Sequence, residues 1–161
     1  MSIPRENALT AYLIAEQASF YRLAYSYLHH QEDALDAVQT TVCRALERQD
    51  SLRDPGAVRT WFYRILVNTC LDILRQRGKV VSLEEWTDTG EEDPLPADDA
   101  LARRVEALPA EVATVIKLRF YEEFSLKEIS AVTGCNINTV KSRLYAGLKK
   151  LRISMEGEEL V

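Results

Sequence analysis

The chain is poor in the residues that would staple it, cross a membrane or carry out catalysis. Only three cysteines occur, Cys43, Cys70 and Cys135, and no two form a C-x-x-C. The two histidines, His29 and His30, are adjacent and far from any cysteine. That pattern excludes a disulfide framework and zinc-ligand spacing, so no metal and no cofactor are expected. The thiols read as reduced packing residues, which fits a cytoplasmic protein. No apolar run nears a bilayer-spanning length, and the opening "MSIPRENALTAYLIAEQ" has no long apolar core. A soluble, unprocessed chain without membrane insertion is expected. No Cys–His or Ser–His–Asp arrangement and no glycine-rich phosphate loop accompanies the carboxylates, so the chain is not expected to be an enzyme.

What is present is apolar content and charge in blocks. The 161 residues are 47% hydrophobic, enough for one ordinary domain or two small ones. The net charge of −5 conceals an uneven distribution. Residues 53–77 carry five arginines against two aspartates, while residues 84–99 carry eight acids and no base. The stretch "NINTVKSRLYAGLKKLR", residues 136–152, holds five bases and no acid. Average charge therefore says little about partners.

Helical periodicity dominates. Phe20, Leu23, Ala24, Tyr27 and Leu28 share one face, as do Ala34, Leu35, Val38, Val42, Ala45 and Leu46. These predict two amphipathic helices with a turn near His30. Pro55 and Gly56 interrupt the pattern. A third helix follows, with Val58, Trp61, Phe62, Ile65, Leu66, Thr69, Ile73 and Leu74 as its apolar stripe, ending at Gly78. Arg64, Asn68, Asp72 and Arg75 form a polar stripe beside it. Residues 82–99, rich in acids and broken by two prolines and a glycine, read as a tether without fixed secondary structure.

The second half resumes near Ala100. Leu108-Pro109 opens a helix that Val112, Val115, Ile116 and Arg119 continue. Ser125-Leu126-Lys127-Glu128 has capping-box spacing, and its helix should end at Gly134. Asn136 can cap the next helix, whose buried stripe would be Ile137, Val140, Leu144, Leu148 and Leu151. Two capped helices around a glycine turn make a helix-turn-helix, with Lys141, Ser142, Tyr145 and Lys149 off the apolar stripe. A solvated basic helix would show much the same pattern. The expected fold is all-α: two small helical domains, a three-helix-type bundle and a helix-turn-helix, joined by an acidic flexible linker.

The stretch "SLKEISAVTGCNINTVKSRLYAGLKKLR" resembles region 4 of the sigma-70 family, most closely at residues 139–144. The resemblance implies that Lys141, Ser142 and Tyr145 face the −35 promoter element, with Lys149 nearby and Arg143 supporting the helix or touching the DNA backbone. Ala146 departs from the arginine common in relatives, and Ala113 from another in the upstream helix. The stretch "TWFYRILVNTCLDILRQRGK" resembles region 2 of the extracytoplasmic-function sigma factors through Trp61, Tyr63, Arg64, Asn68, Asp72 and Arg75. It implies that this helix and the loop before it hold the −10 element as a single strand, through Arg53, Asp54, Val58, Trp61, Tyr63, Arg64 and Asn68. Trp61 could serve as core or as base platform. "HQEDALDAVQTTVCRAL" resembles the polymerase-binding part of region 2, implying that Asp33, Asp36 and Gln39 meet core RNA polymerase. An acid pairing with the helix dipole explains Asp33 equally well.

The resemblance implies region 2 over residues 1–79, a linker over 80–100 and region 4 over 101–161. Promoter boxes two helical turns apart lie ~70 Å from each other. A tether of ~20 residues reaches ~65–70 Å when extended. The implied partners are core RNA polymerase, promoter DNA and an anti-sigma factor. The rival reading is a helix-turn-helix regulator that binds duplex DNA without polymerase; the −10-type helix argues against it. A hydrolase built on the acidic segment is the remaining alternative, with no catalytic arrangement to support it.

Overall fold

Caps and left-handed residues mark several of the helix ends. The computed structural model describes residues 5–78, 83 and 100–154. Among them are eight α-helices and no strand. The first four are α1 (Arg5–Ala15), α2 (Gln17–Leu28), α3 (Gln31–Glu47) and α4 (Val58–Gln76). His29, at φ 55°, ends α2, and its N–H donates to the Tyr25 carbonyl. The extended His30 then lets α3 begin with Glu32 and Asp33 in its first turn, where carboxylates meet the positive end of the helix dipole. Gly78, at φ +66°, follows the last turn of α4.

Helices α2, α3 and α4 pack on one another, and α1 lies against α4. Their core is aromatic. Phe20 of α2 and Phe62 of α4 have ring centroids 4.3 Å apart, with Tyr12 of α1 5.4 Å from Phe20. Helix α3 buries only small side chains, Ala34, Ala37, Thr41 and Ala45. Leu35 and Leu46, expected inside, are 45% and 46% exposed. The alanine face allows α3 to approach its neighbours closely, and the leucines fall roughly 120° around the helix from it, on its outer flank. Helix α1 is an addition to the three helices expected here. Its pattern is weak: Leu9 is buried, Tyr12 is half-buried and Ile14 is 68% exposed.

The chain divides into two compact units, with the main break after Gly78 and Ala131–Gly134 grouped with the first unit. The expected acidic linker, residues 80–100, lies outside the described residues apart from Leu83 and Ala100. Beyond it come α5 (Ala100–Glu106), α6 (Ala110–Phe120), α7 (Leu126–Thr133) and α8 (Ile137–Ser154). Ser125 and Glu128 form the capping box reciprocally, at 2.9 and 3.1 Å. Gly134 adopts φ +76°, and the Asn136 side-chain oxygen accepts the Thr139 N–H at 2.8 Å. Val140, Leu144 and Leu151 are buried as expected, whereas Ile137, in the first turn of α8, is 39% exposed and Leu148 half-buried. Burial raises the Tyr121 phenol above its ordinary value, and nearby Glu106 adds to the shift.

Helix α6 packs on α8, with α5 touching both. The closest approach is at Gly147. A Cβ there would sit 2.9 Å from Val112 Cγ1 and 3.0 Å from Ile116 Cγ1. Alanine in place of glycine ordinarily strengthens a helix by about 1 kcal/mol. Overpacking a stiff core costs about 1–3 kcal/mol, so the clash should win. We predict that Gly147→Ala lowers stability by about 1 kcal/mol as the balance of these terms. Amide hydrogen exchange in α6 and α8 of the full chain would quicken, while α2–α4 stay unchanged.

Candidate nucleic-acid interface

Helix α4 is buried over most of its circumference, and its exposed polar stripe is narrow. Phe62, Tyr63, Ile65, Leu66, Val67, Thr69, Cys70 and Leu71 are all buried. Arg64 and Asn68 are exposed, one turn apart. Asp72, also on this stripe, is neutralised by Arg44 and Arg75, each 3.4 Å away. Arg44 also donates to the Thr69 hydroxyl at 3.0 Å, which ties α3 to α4. The stripe therefore offers a guanidinium and an amide edge, and among the described residues its one acid, Asp72, is already paired.

The loop before α4 is ordered by its own side chains. It contains two 3-10 turns, Gln49–Ser51 and Pro55–Ala57. Asp54 accepts the Gly56 N–H at 2.9 Å, so this carboxylate shapes the turn. The Trp61 indole N–H donates to Ser51 Oγ at 2.9 Å, and Ser51 Oγ donates to the Arg48 carbonyl at 2.7 Å. Trp61 is half-buried, so it anchors the loop and keeps part of its ring open. Arg53 is exposed and Val58 half-buried.

Tyr63 does not belong to this surface. It is 2% exposed, with its ring edge-on to Phe20 at 5.7 Å. Two residues after Trp61, it points roughly 200° away around the helix. The sequence motif placed both aromatics together; the helical turn separates them.

On α8, Lys141, Ser142, Tyr145 and Lys149 are exposed on one face, and Tyr145 is 65% exposed. Arg143 departs from that face. It is half-buried and its Nη1 donates to Cys135 Sγ at 3.1 Å, so it braces the turn between α7 and α8. Lys150, one of the bases in the stretch 136–152, is 8% exposed and faces the core. Ala146 is half-buried and offers no polar atom to a ligand.

The residues expected to meet polymerase lie on α3. Asp36 and Gln39 are exposed. Asp33 is already engaged by Arg77 at 3.0 Å, with His30 at 3.9 Å. The outward leucines, Leu35 and Leu46, lie within roughly 100° of the arc holding Asp36 and Gln39. A groove of about 530 Å³ opens beside them, lined by Leu13, Phe20, Leu35, Val38, Gln39 and Val42 among others. The sequence held a signal for this face. Ala34, Ala37, Thr41 and Ala45 form a second, small-residue stripe that competes for the buried side.

Two family descriptions cover most of the chain. Residues 13–80 match Sigma-70 region 2, and residues 98–151 match Sigma-70, region 4. RNA polymerase sigma factor SigV of Bacillus subtilis is 43% identical over 145 residues, covering 88% of this chain and 87% of that protein. The chain belongs to the sigma-70 family. Within that family it groups with extracytoplasmic-function sigma factors. SigE of Mycolicibacterium smegmatis, named as one, is 34% identical over 82% of this chain and 55% of its own length. The fold is that of the sigma factor RpoE from Bartonella quintana, solved in complex with the anti-sigma factor NepR. The TM-score is 0.72 at 24% identity, over 93% of this chain and 98% of that one. Sigma-70 members are transcription initiation factors, and the described residues of both matched regions form helices and no strand, as the sequence implied. Among the described residues no helix is long and apolar enough to cross a membrane.

The loop geometry gives a direct expectation. Asp54→Ala removes the acceptor for the Gly56 N–H, and such local caps are worth about 1 kcal/mol. We predict faster amide exchange at Gly56 and Ala57 and unchanged exchange in α2 and α3.

Proposed function

We propose that the chain is a dissociable initiation subunit of RNA polymerase that carries no active site of its own and works in the cytoplasm. It binds the core enzyme, brings it to a promoter and assists strand opening. One observation carries this reading: a single chain pairs a region 2 helix bearing an exposed Arg64–Asn68 stripe with a region 4 helix bearing Lys141, Ser142, Tyr145 and Lys149.

In this account residues 1–79 take the core enzyme and the −10 element, residues 101–161 take the −35 element, and residues 80–100 connect them. Arg64 and Asn68 contact the separated −10 strand: the guanidinium meets phosphate and the amide pairs with a base edge. Arg53 reaches the same strand from the loop, while Trp61 supplies the open part of its ring for stacking. Asp54 and Val58 shape the loop. On the duplex, Lys141 and Lys149 meet phosphate or guanine, and Ser142 and Tyr145 meet base edges or a thymine methyl. Arg143 braces the reading helix from behind.

The α3 face forms the core-enzyme contact. Asp36 and Gln39 supply polar specificity beside the exposed Leu35 and Leu46, the combination of apolar centre and polar rim that stable interfaces use. Asp33 joins only when Arg77 yields it. An anti-sigma factor would hold the protein inactive by covering these faces; RpoE, which shares this fold, was solved in complex with one.

A pull-down on purified core RNA polymerase tests the reading. The chain should be retained, and Leu35→Asp should weaken retention about tenfold or more, as loss of an interface anchor does. A wild-type chain that binds promoter duplex yet ignores core polymerase would instead be a free helix-turn-helix regulator.

A further inference from the structure

Two asparagines stand two residues apart at the start of α8, and the structure gives them different tasks. Asn136 is spent on the helix: its side-chain oxygen holds the Thr139 N–H at 2.8 Å. Asn138 is exposed, and its amide makes no hydrogen bond among the described residues. At roughly 100° per residue, Asn138, Lys141, Ser142, Tyr145 and Lys149 fall within an arc of roughly 100°. Asn138 lies near the middle of that arc. Val140, Leu144 and Leu151 occupy the opposite, buried side.

From this placement we infer that Asn138 reads a base directly, and that the base is adenine in the −35 duplex. The inference rests on the proposed role of α8 as the duplex-reading helix. A helix entering the major groove presents its first turns most deeply. An asparagine amide matches adenine there, accepting from N6 and donating to N7, and no other base offers that pair in the same geometry. Ser142 and Tyr145, farther along the face, carry single hydroxyls and discriminate less sharply. Asn138 is thus the strongest sequence reader on α8, while lysines that meet phosphate contribute affinity common to all sequences.

The test is selection by the reconstituted holoenzyme, full chain plus core polymerase, from duplex DNA randomised across the −35 region and sequenced after binding. Wild type should enrich adenine at one position by about tenfold or more, the discrimination expected of one bidentate contact. Asn138→Ala should flatten the preference at that position and leave the others in place. Asn138→Gln, which keeps the amide, should retain adenine there. Asn136→Ala should loosen the first turn of α8 by amide exchange yet keep the adenine preference. An unchanged profile for Asn138→Ala would overturn the inference while the duplex-reading role of α8 stands. Absence of any −35 preference in wild type would overturn both.

Discussion

The contact between Phe20 and Phe62, with centroids 4.3 Å apart, fixes α4 against α2, and the exposed polar side of α4 depends on it. A helix has one rotation about its axis. Once Phe62 is seated in the aromatic cluster, Tyr63 must turn inward, and Arg64 and Asn68 must turn outward. Arg44 strengthens the same setting by bridging Thr69 and Asp72, and it neutralises the carboxylate on the stripe. Packing energy of the core is thereby converted into the position of a few polar atoms at the surface.

The second unit solves the equivalent problem with backbone chemistry. Reciprocal caps at Ser125 and Glu128, the left-handed Gly134 and the Asn136 cap define the turn between α7 and α8. Arg143 locks the turn from the side through Cys135. Gly147 lets α8 settle onto Val112 and Ile116, so the outward face is set by how closely the inward face can approach. The acid-free stretch 136–152 is therefore only partly exposed. Lys150 and Arg143 belong to the scaffold, and the exposed set is smaller and better ordered than the charge count suggests.

Much of this was legible from residue order. Caps are local, so the helix boundaries at Gly78, Ser125, Gly134 and Asn136 could be read from neighbours in sequence. The motif residues also pointed to the two family regions that hold α4 and α8. What escaped depends on which of two faces wins burial. In α3 the alanine stripe prevailed over Leu35 and Leu46, because close helix approach outweighed the larger side chains. In α4 the motif spelling put Tyr63 next to Trp61 without regard to the turn of the helix. Helix α1 escaped because few of its residues are buried, and Asn138 because an exposed amide has no periodic signature.

The central claim is that the two units divide the labour of initiation: α8 holds the duplex and α4 holds the opened strand. The most direct measurement compares closed-complex binding with permanganate reactivity of thymines in the −10 region, using core polymerase and a promoter the holoenzyme uses. The account predicts that Arg64→Ala with Asn68→Ala abolishes thymine reactivity while closed complexes persist. It predicts that Lys141→Ala with Tyr145→Ala lowers closed-complex binding itself. Equal losses of binding and opening in both pairs, or no loss in either, would contradict it.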